Sequence, residues 1–216
     1  MLPLRIEALS KRVLRMAGIK PQDKCLELWP GDAEAGYVDK LLAENWMKPS
    51  MGLVGINVRA SERWVTKNWP ISNIVELCDR LAKEFNIRVV LTGAEEDVGF
   101  AQAIARSAKS KPLVAAGKTS ILELASMIKR FRIYLTPDSA PMHIAAAMGT
   151  PCIALFGPTE PERHVVPSRE CIVISKKNEL KCSPCYSPTC VKNFACMKKI
   201  TVDEVLEAMR PYLKER

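Results

Sequence analysis

From Tyr134 to Gly149 the chain passes from a short apolar strand pattern, through a polar turn, into a run of small residues. Asp138 or Ser139 is placed to cap the helix that follows, and Pro141 suits its first turn, where no backbone donor is lost. Gly149 ends the helix and Pro151 forbids its continuation. Its body, Ile144-Ala145-Ala146-Ala147, is mostly alanine and can lie close against a sheet. A strand feeding straight into such a helix brings N–H groups and the positive end of the helix dipole to one point, which attracts a phosphate or diphosphate.

The flanking chain alternates. Leu53–Val58 reads as a strand, and Ile71, Ile74, Cys78, Leu81 and Phe85 form a helical stripe. Ile87–Leu91 is a continuous run of the buried parallel type. Glu95-Glu96-Asp97 puts acid in the first turn of the next helix. Lys111–Ala115 is a short strand, and Ser120 with Glu123 is a capping box. Arg132–Leu135, Cys152–Phe156 and Cys171–Ile174 complete the strands, and Val202–Leu213 closes the chain as an amphipathic helix. This alternation predicts an α/β fold: a Rossmann-like parallel sheet with helices on both faces. Its ligand belongs beyond the carboxyl ends of the strands.

Residues 1–50 read as helical. Leu2, Ile6, Leu9, Val13 and Met16 recur at helical steps, Gly18 supplies a stop, and a second helix runs from Asp32 to about Met47. Two helices cannot make a domain alone, since their apolar faces need something to cover. No apolar run reaches the ~20 residues that span a bilayer, and the opening residues lack a secretory signal, so a cytoplasmic location is expected. The formal charge of +8 favours anionic partners: a nucleotide, a phosphorylated lipid or the inner membrane face. The basic residues are scattered without an aromatic stripe, which argues against nucleic acid.

Thr136-Pro137-Asp138-Ser139-Ala140-Pro141-Met142-His143 and Ala154-Leu155-Phe156-Gly157-Pro158-Thr159-Glu160-Pro161 resemble glycosyltransferase family 9, the heptosyltransferase-like enzymes. Gly55-Ile56-Asn57 leading to Lys67-Asn68-Trp69-Pro70, and Ala116-Gly117-Lys118-Thr119-Ser120, match that family in the same order. The resemblance is close over about residues 50–165 and implies the C-terminal, donor-binding half of a GT-B fold. The implied domains are 1–50, a helical remnant or linker, and 51–216, a nucleotide-sugar-binding domain with a Cys-rich loop at 182–196.

The resemblance also implies the site. Asp138 would accept from donor-sugar hydroxyls, as an acceptor-only carboxylate suits. The Ser139 hydroxyl and the Ala140 amide would face phosphate, and His143, one helical turn beyond Ser139, would hydrogen-bond or stabilise the leaving diphosphate as an imidazolium. Thr66, Lys67 and Arg59 would hold the diphosphate from the loop after the first strand. The family's Pro-Gly pair there is replaced by Val58-Arg59, which removes a glycine and puts backbone contacts to phosphate in doubt. Gly117 and Lys118 would approach the nucleobase and Thr159 the donor. Each position has a plainer structural role open to it: a helix cap, a solvated loop, a packed histidine or a glycine turn.

Cys182, Cys185, Cys190 and Cys196 form a C-x₂-C-x₄-C-x₅-C cluster bent by Pro184 and Pro188. In a reducing compartment such a cluster suits a structural zinc or, less well, an iron–sulfur cluster; packed reduced thiols remain the alternative.

Nothing in the sequence resembles the family's opening Rossmann domain, which would carry the acceptor site and a general base. No catalytic residue is therefore assigned here. Three readings stay open. The first is the nucleotide-sugar half of a glycosyltransferase, taking heptose from ADP-heptose to a lipopolysaccharide core or related anionic glycolipid without a required cofactor. The second is a non-catalytic or split-enzyme subunit whose cleft is completed by a separate N-terminal-domain chain. The third is a nucleotide-sugar epimerase-like GT-B protein.

Overall fold

The computed structural model describes residues 26–47, 51–165, 171–177 and 179–213. The helical stripe expected over Leu2–Met16 lies outside them.

Six parallel strands form one sheet: β1 (Leu53–Asn57), β2 (Arg88–Thr92), β3 (Leu113–Val114), β4 (Ile133–Pro137), β5 (Cys152–Phe156) and β6 (Cys171–Ser175). Their order is β3-β2-β1-β4-β5-β6. The chain builds outward from β1 to β3, then returns to the other side of β1 for β4, so the crevice at the strand ends opens between β1 and β4.

The helices among the described residues are α1 (Asp32–Glu44), α2 (Ile71–Phe85), α3 (Val98–Ser107), α4 (Ile121–Ile128), α5 (Ala140–Ala147), α6 (Pro161–His164), α7 (Ala195–Lys198) and α8 (Val202–Leu213). Successive strand residues point to opposite faces, and each face has its own core. Val54, Ile56, Val89, Leu91, Ile133, Leu135, Ile153 and Leu155 pack with α2, α3 and α8. Leu53, Val90, Tyr134, Cys152, Ala154 and Phe156 pack with α1, α4 and α5. Burial on both faces explains why these strands read as continuous apolar runs.

Local details follow the residue chemistry. In α2 the buried stripe is Ile74, Leu77, Cys78 and Leu81, while Ile71 at its start is exposed. Ser120 Oγ accepts from Glu123 N at 3.3 Å, and Glu123 Oε2 accepts from Ser120 N at 2.7 Å, closing the capping box of α4. The strand expected over Lys111–Ala115 is cut to Leu113–Val114: Lys111 has a positive φ of 50° and Pro112 has no amide to donate. Gly55 is required by close packing, since a Cβ there would sit 2.2 Å from the Phe131 ring and 2.6 Å from that of Tyr134. Those two rings stack at 5.9 Å.

The described part of the first fifty residues is joined to this core. Val38, Leu41 and Leu42 of α1 are buried in it, Arg130 pairs with Asp39 at 2.8 Å, and Tyr37 OH donates to Lys118 O at 2.5 Å. No helix is long and apolar enough to cross a membrane, among the described residues.

Candidate donor-binding site

The site forms where β1, β4 and β5 end. Asn57, last in β1, donates from Nδ2 to Ser139 Oγ at 3.1 Å and to Arg59 O at 3.0 Å, tying the two strand ends across the crevice. Ser139 occupies the N-cap position of α5 with extended backbone, but its side chain makes no capping bond. Its hydroxyl donates instead to Pro137 O at 3.2 Å and lies 3.0 Å from Thr136 Oγ1. Asp138 does not cap either, because its carboxylate faces Lys67 and Thr159. The side-chain cap expected from sequence is thus absent, and the first amides of α5 keep no side-chain acceptor. Pro141 does lie in the first turn, and Gly149 does end the helix in the left-handed region at φ 66°.

Asp138 is the centre of the arrangement. It is only 5% exposed, and its Oδ2 accepts from Lys67 Nζ at 2.7 Å and from Thr159 Oγ1 at 2.7 Å. Lys67 ends a 3-10 turn (Glu62–Lys67) after β1, and its ammonium lies 4.7 Å from the centre of the Trp64 ring. Thr159 follows β5 and is 1% exposed. Residues from three loops therefore meet on one carboxylate. Taking such a pair out of water is costly, and these hydrogen bonds offset part of that cost. His143 of α5 is half-buried; burial lowers its pKa, Asp138 opposes that shift and His164 adds to it. Burial thus works against the imidazolium expected from sequence.

Arg59 is held apart from this centre. Its guanidinium is bonded to Asp97 Oδ1, stands 3.4 Å from Glu62 Oε1 and lies over the Phe100 ring. The Asp97 bond raises its pKa. Thr66 is buried, and its hydroxyl donates to Ser187 O at 2.8 Å. Gly117 takes φ 72°, and a Cβ there would meet Glu95 Oε2 at 2.5 Å. Gly117 and Lys118 stand beyond β3, three strands from β4 in the sheet order, a span of roughly 14 Å.

The cysteine-bearing loop straps this site rather than gathering its thiols. Ser183 Oγ donates to Gly157 O at 2.6 Å, the amides of Cys185 and Tyr186 both donate to Pro158 O, and Glu160 N donates to Tyr186 OH at 3.1 Å. Among the described residues no group of three or more His, Cys, Asp or Glu side chains is arranged to hold a metal. Cys182 and Cys185 are exposed. Cys190 accepts from Phe194 N, and Cys196 is buried against Gly157, where a Cβ would meet its sulfur at 2.8 Å. The structural zinc or iron–sulfur cluster expected at Cys182, Cys185, Cys190 and Cys196 has no support in this arrangement among the described residues.

His164 and Tyr186 belong to the site and were not among the residues singled out from sequence. His164 Nδ1 lies 3.9 Å from Asp138 Oδ1, and its ring is near those of Phe156 and Tyr186, at 6.4 and 6.1 Å between centres. The available signal was that the chain has two histidines, one on the helix after β4 and one on the helix after β5.

The model of glycosyltransferase family 9 (heptosyltransferase) matches residues 39–195, most of the chain and every candidate donor-site residue named above. The chain belongs to glycosyltransferase family 9. Lipopolysaccharide heptosyltransferase 3 of Escherichia coli (strain K12) is 36% identical over 106 residues, covering 48% of this chain and 30% of that protein. The family 9 structure from Veillonella parvula DSM 2008 superposes with a TM-score of 0.79 at 22% identity, over 94% of this chain and 58% of that one. The E. coli ADP-heptose lps heptosyltransferase II gives 0.70 at 25% identity, over 87% and 53%. The family 9 chain thus spans about a third to somewhat over half the length of these relatives. Its sheet is the Rossmann-like layer that makes up half of a GT-B fold.

Proposed function

We propose that this chain is the nucleotide-sugar-binding part of a glycosyltransferase that takes heptose from ADP-heptose to a lipopolysaccharide core or related anionic glycolipid. The observation that carries the reading is the convergence of Lys67 and Thr159 on Asp138, beside the N-terminus of α5 at the sheet's crevice. Asp138 accepts from sugar hydroxyls. Lys67 has three ammonium donors, one of them used by Asp138, so the others can serve phosphate oxygens. The Ala140 amide and the dipole of α5 favour the same diphosphate, and its charge would pull the pKa of His143 back up. A donor laid across the strand ends from β4 toward β3 would bring its nucleobase to the Gly117-Lys118 turn. Arg59, Thr66 and Ser139 shape the walls through the bonds described above.

Transfer is an in-line displacement at the sugar's anomeric carbon with departure of the nucleoside diphosphate, and it needs no cofactor. The general base that deprotonates the acceptor hydroxyl is not assigned to any described residue. Because the chain spans only part of its relatives, a second reading is that a further segment or a separate polypeptide completes the cleft; a protein that copurifies with the chain and restores transfer would support it. A peripheral position at the inner membrane face fits the acceptor and the formal charge of +8. A calorimetric panel of ADP-, UDP- and GDP-sugars tests the reading. ADP-heptose binding well ahead of the others is expected, and no heat with any donor would overturn it.

A further inference from the structure

The second carboxylate oxygen of Asp138 carries an inference that rests on that functional reading and sharpens it. Oδ2 of Asp138 is engaged by Lys67 and Thr159. Oδ1 has no hydrogen bond among the described residues, and His164 Nδ1 lies 3.9 Å from it. That distance is too long for a hydrogen bond. The other ring nitrogen, Nε2, is enclosed and has no partner among the described residues, whereas Oδ1 and Nδ1 are not enclosed. The ring has two aromatic neighbours, Phe156 at 6.4 Å and Tyr186 at 6.1 Å between ring centres.

We propose that Asp138 Oδ1 and His164 Nδ1 together clasp one hydroxyl of the donor's sugar. An oxygen about 2.8 Å from each atom fits the gap and sees the two at roughly 90°, close to the angle between a hydroxyl's proton and a lone pair. The hydroxyl donates to Oδ1 and accepts from Nδ1–H. A phosphate oxygen has no proton for Oδ1, and an ammonium has no lone pair for Nδ1–H, so the clasp selects a hydroxyl over either. The tautomer with its proton on Nδ1 also leaves a lone pair, not an N–H, at the enclosed Nε2. His164 is then a sugar-specificity residue, distinct from the groups that hold the diphosphate.

Calorimetric titration of ADP-heptose and of ADP into wild type, His164→Ala and His164→Asn tests this. His164→Ala should weaken ADP-heptose by about five- to tenfold, the worth of one neutral hydrogen bond, and leave ADP within about twofold. His164→Asn, whose amide donor falls near the position of Nδ1, should recover most of the loss. If His164→Ala fails to fold in a thermal melt, the Asn variant decides: ADP-heptose affinity near wild type is expected, and a loss shared with ADP overturns the clasp. Unchanged ADP-heptose binding by a folded Ala variant also overturns it while leaving the donor-site reading intact. A wild-type chain that binds neither ligand removes both.

Discussion

Lys67 Nζ stands 2.7 Å from Asp138 Oδ2, and the two residues, 71 positions apart in sequence, are 8% and 5% exposed. Their contact fixes the loop after β1 against the end of β4, so it is part of the fold as well as the proposed site. Breaking it from one side leaves a buried carboxylate without its cation. Lys67→Met should therefore cost about 3–5 kcal/mol in urea unfolding, and Lys67→Met/Asp138→Leu should recover most of that loss. Additive losses in the double variant would show that the pair is not coupled.

Thr66 is the only described residue of the loop after β1 whose side chain bonds the cysteine-bearing loop, through Ser187 O at 2.8 Å. Thr66→Val keeps the shape and removes the donor. Faster hydrogen exchange at the amides of Cys185 and Tyr186 is expected, with a stability loss of about 1 kcal/mol. Unaltered exchange would mean that the bonds to Pro158 hold the loop by themselves.

Burial keeps the His143 imidazole below its ordinary value of 6.5. The unfolded chain then takes up a proton at higher pH than the folded one does, so His143 withdraws stability as the pH falls below about 6.5. Unfolding free energies measured at about pH 7.5 and pH 5.5 should differ more in wild type than in His143→Gln. Equal differences would place the acid sensitivity elsewhere.

The thiols should label in the order of their exposure. Cys182 and Cys185 are exposed and should react first with an aromatic disulfide reagent. Cys78, whose thiol burial pushes up to about 12, should react only on unfolding. A chelator should leave the melting temperature unchanged, since the bonds of Ser183, Cys185 and Tyr186 to Gly157 and Pro158 already anchor the loop. A drop in melting temperature on chelation would restore the metal expectation.

Much of the fold was legible because its signals are local. Pro151 and Gly157 bracket β5, and both of its ends were anticipated; Ser120 and Glu123 announced α4. β3 came out shorter than its apolar letters suggest, since the backbone at Lys111 and Pro112 forbids earlier pairing. The site was legible only in part. Asp138, Lys67 and Thr159 could be named from ordered motifs, but not that they meet on one carboxylate oxygen. Ser139 was misjudged as a side-chain cap because its hydroxyl answers to Asn57, 82 residues away. His164 and Tyr186 depend on the path of a loop held by backbone bonds, which leaves no periodic trace in sequence.

On the proposed function, Asp138 receives the sugar of an activated donor. The decisive experiment is calorimetric titration of ADP-heptose into wild type and Asp138→Asn, with thermal melts to confirm folding. Saturable binding by wild type and at least a tenfold loss in the folded variant are predicted; equal affinity in the two proteins would contradict the claim.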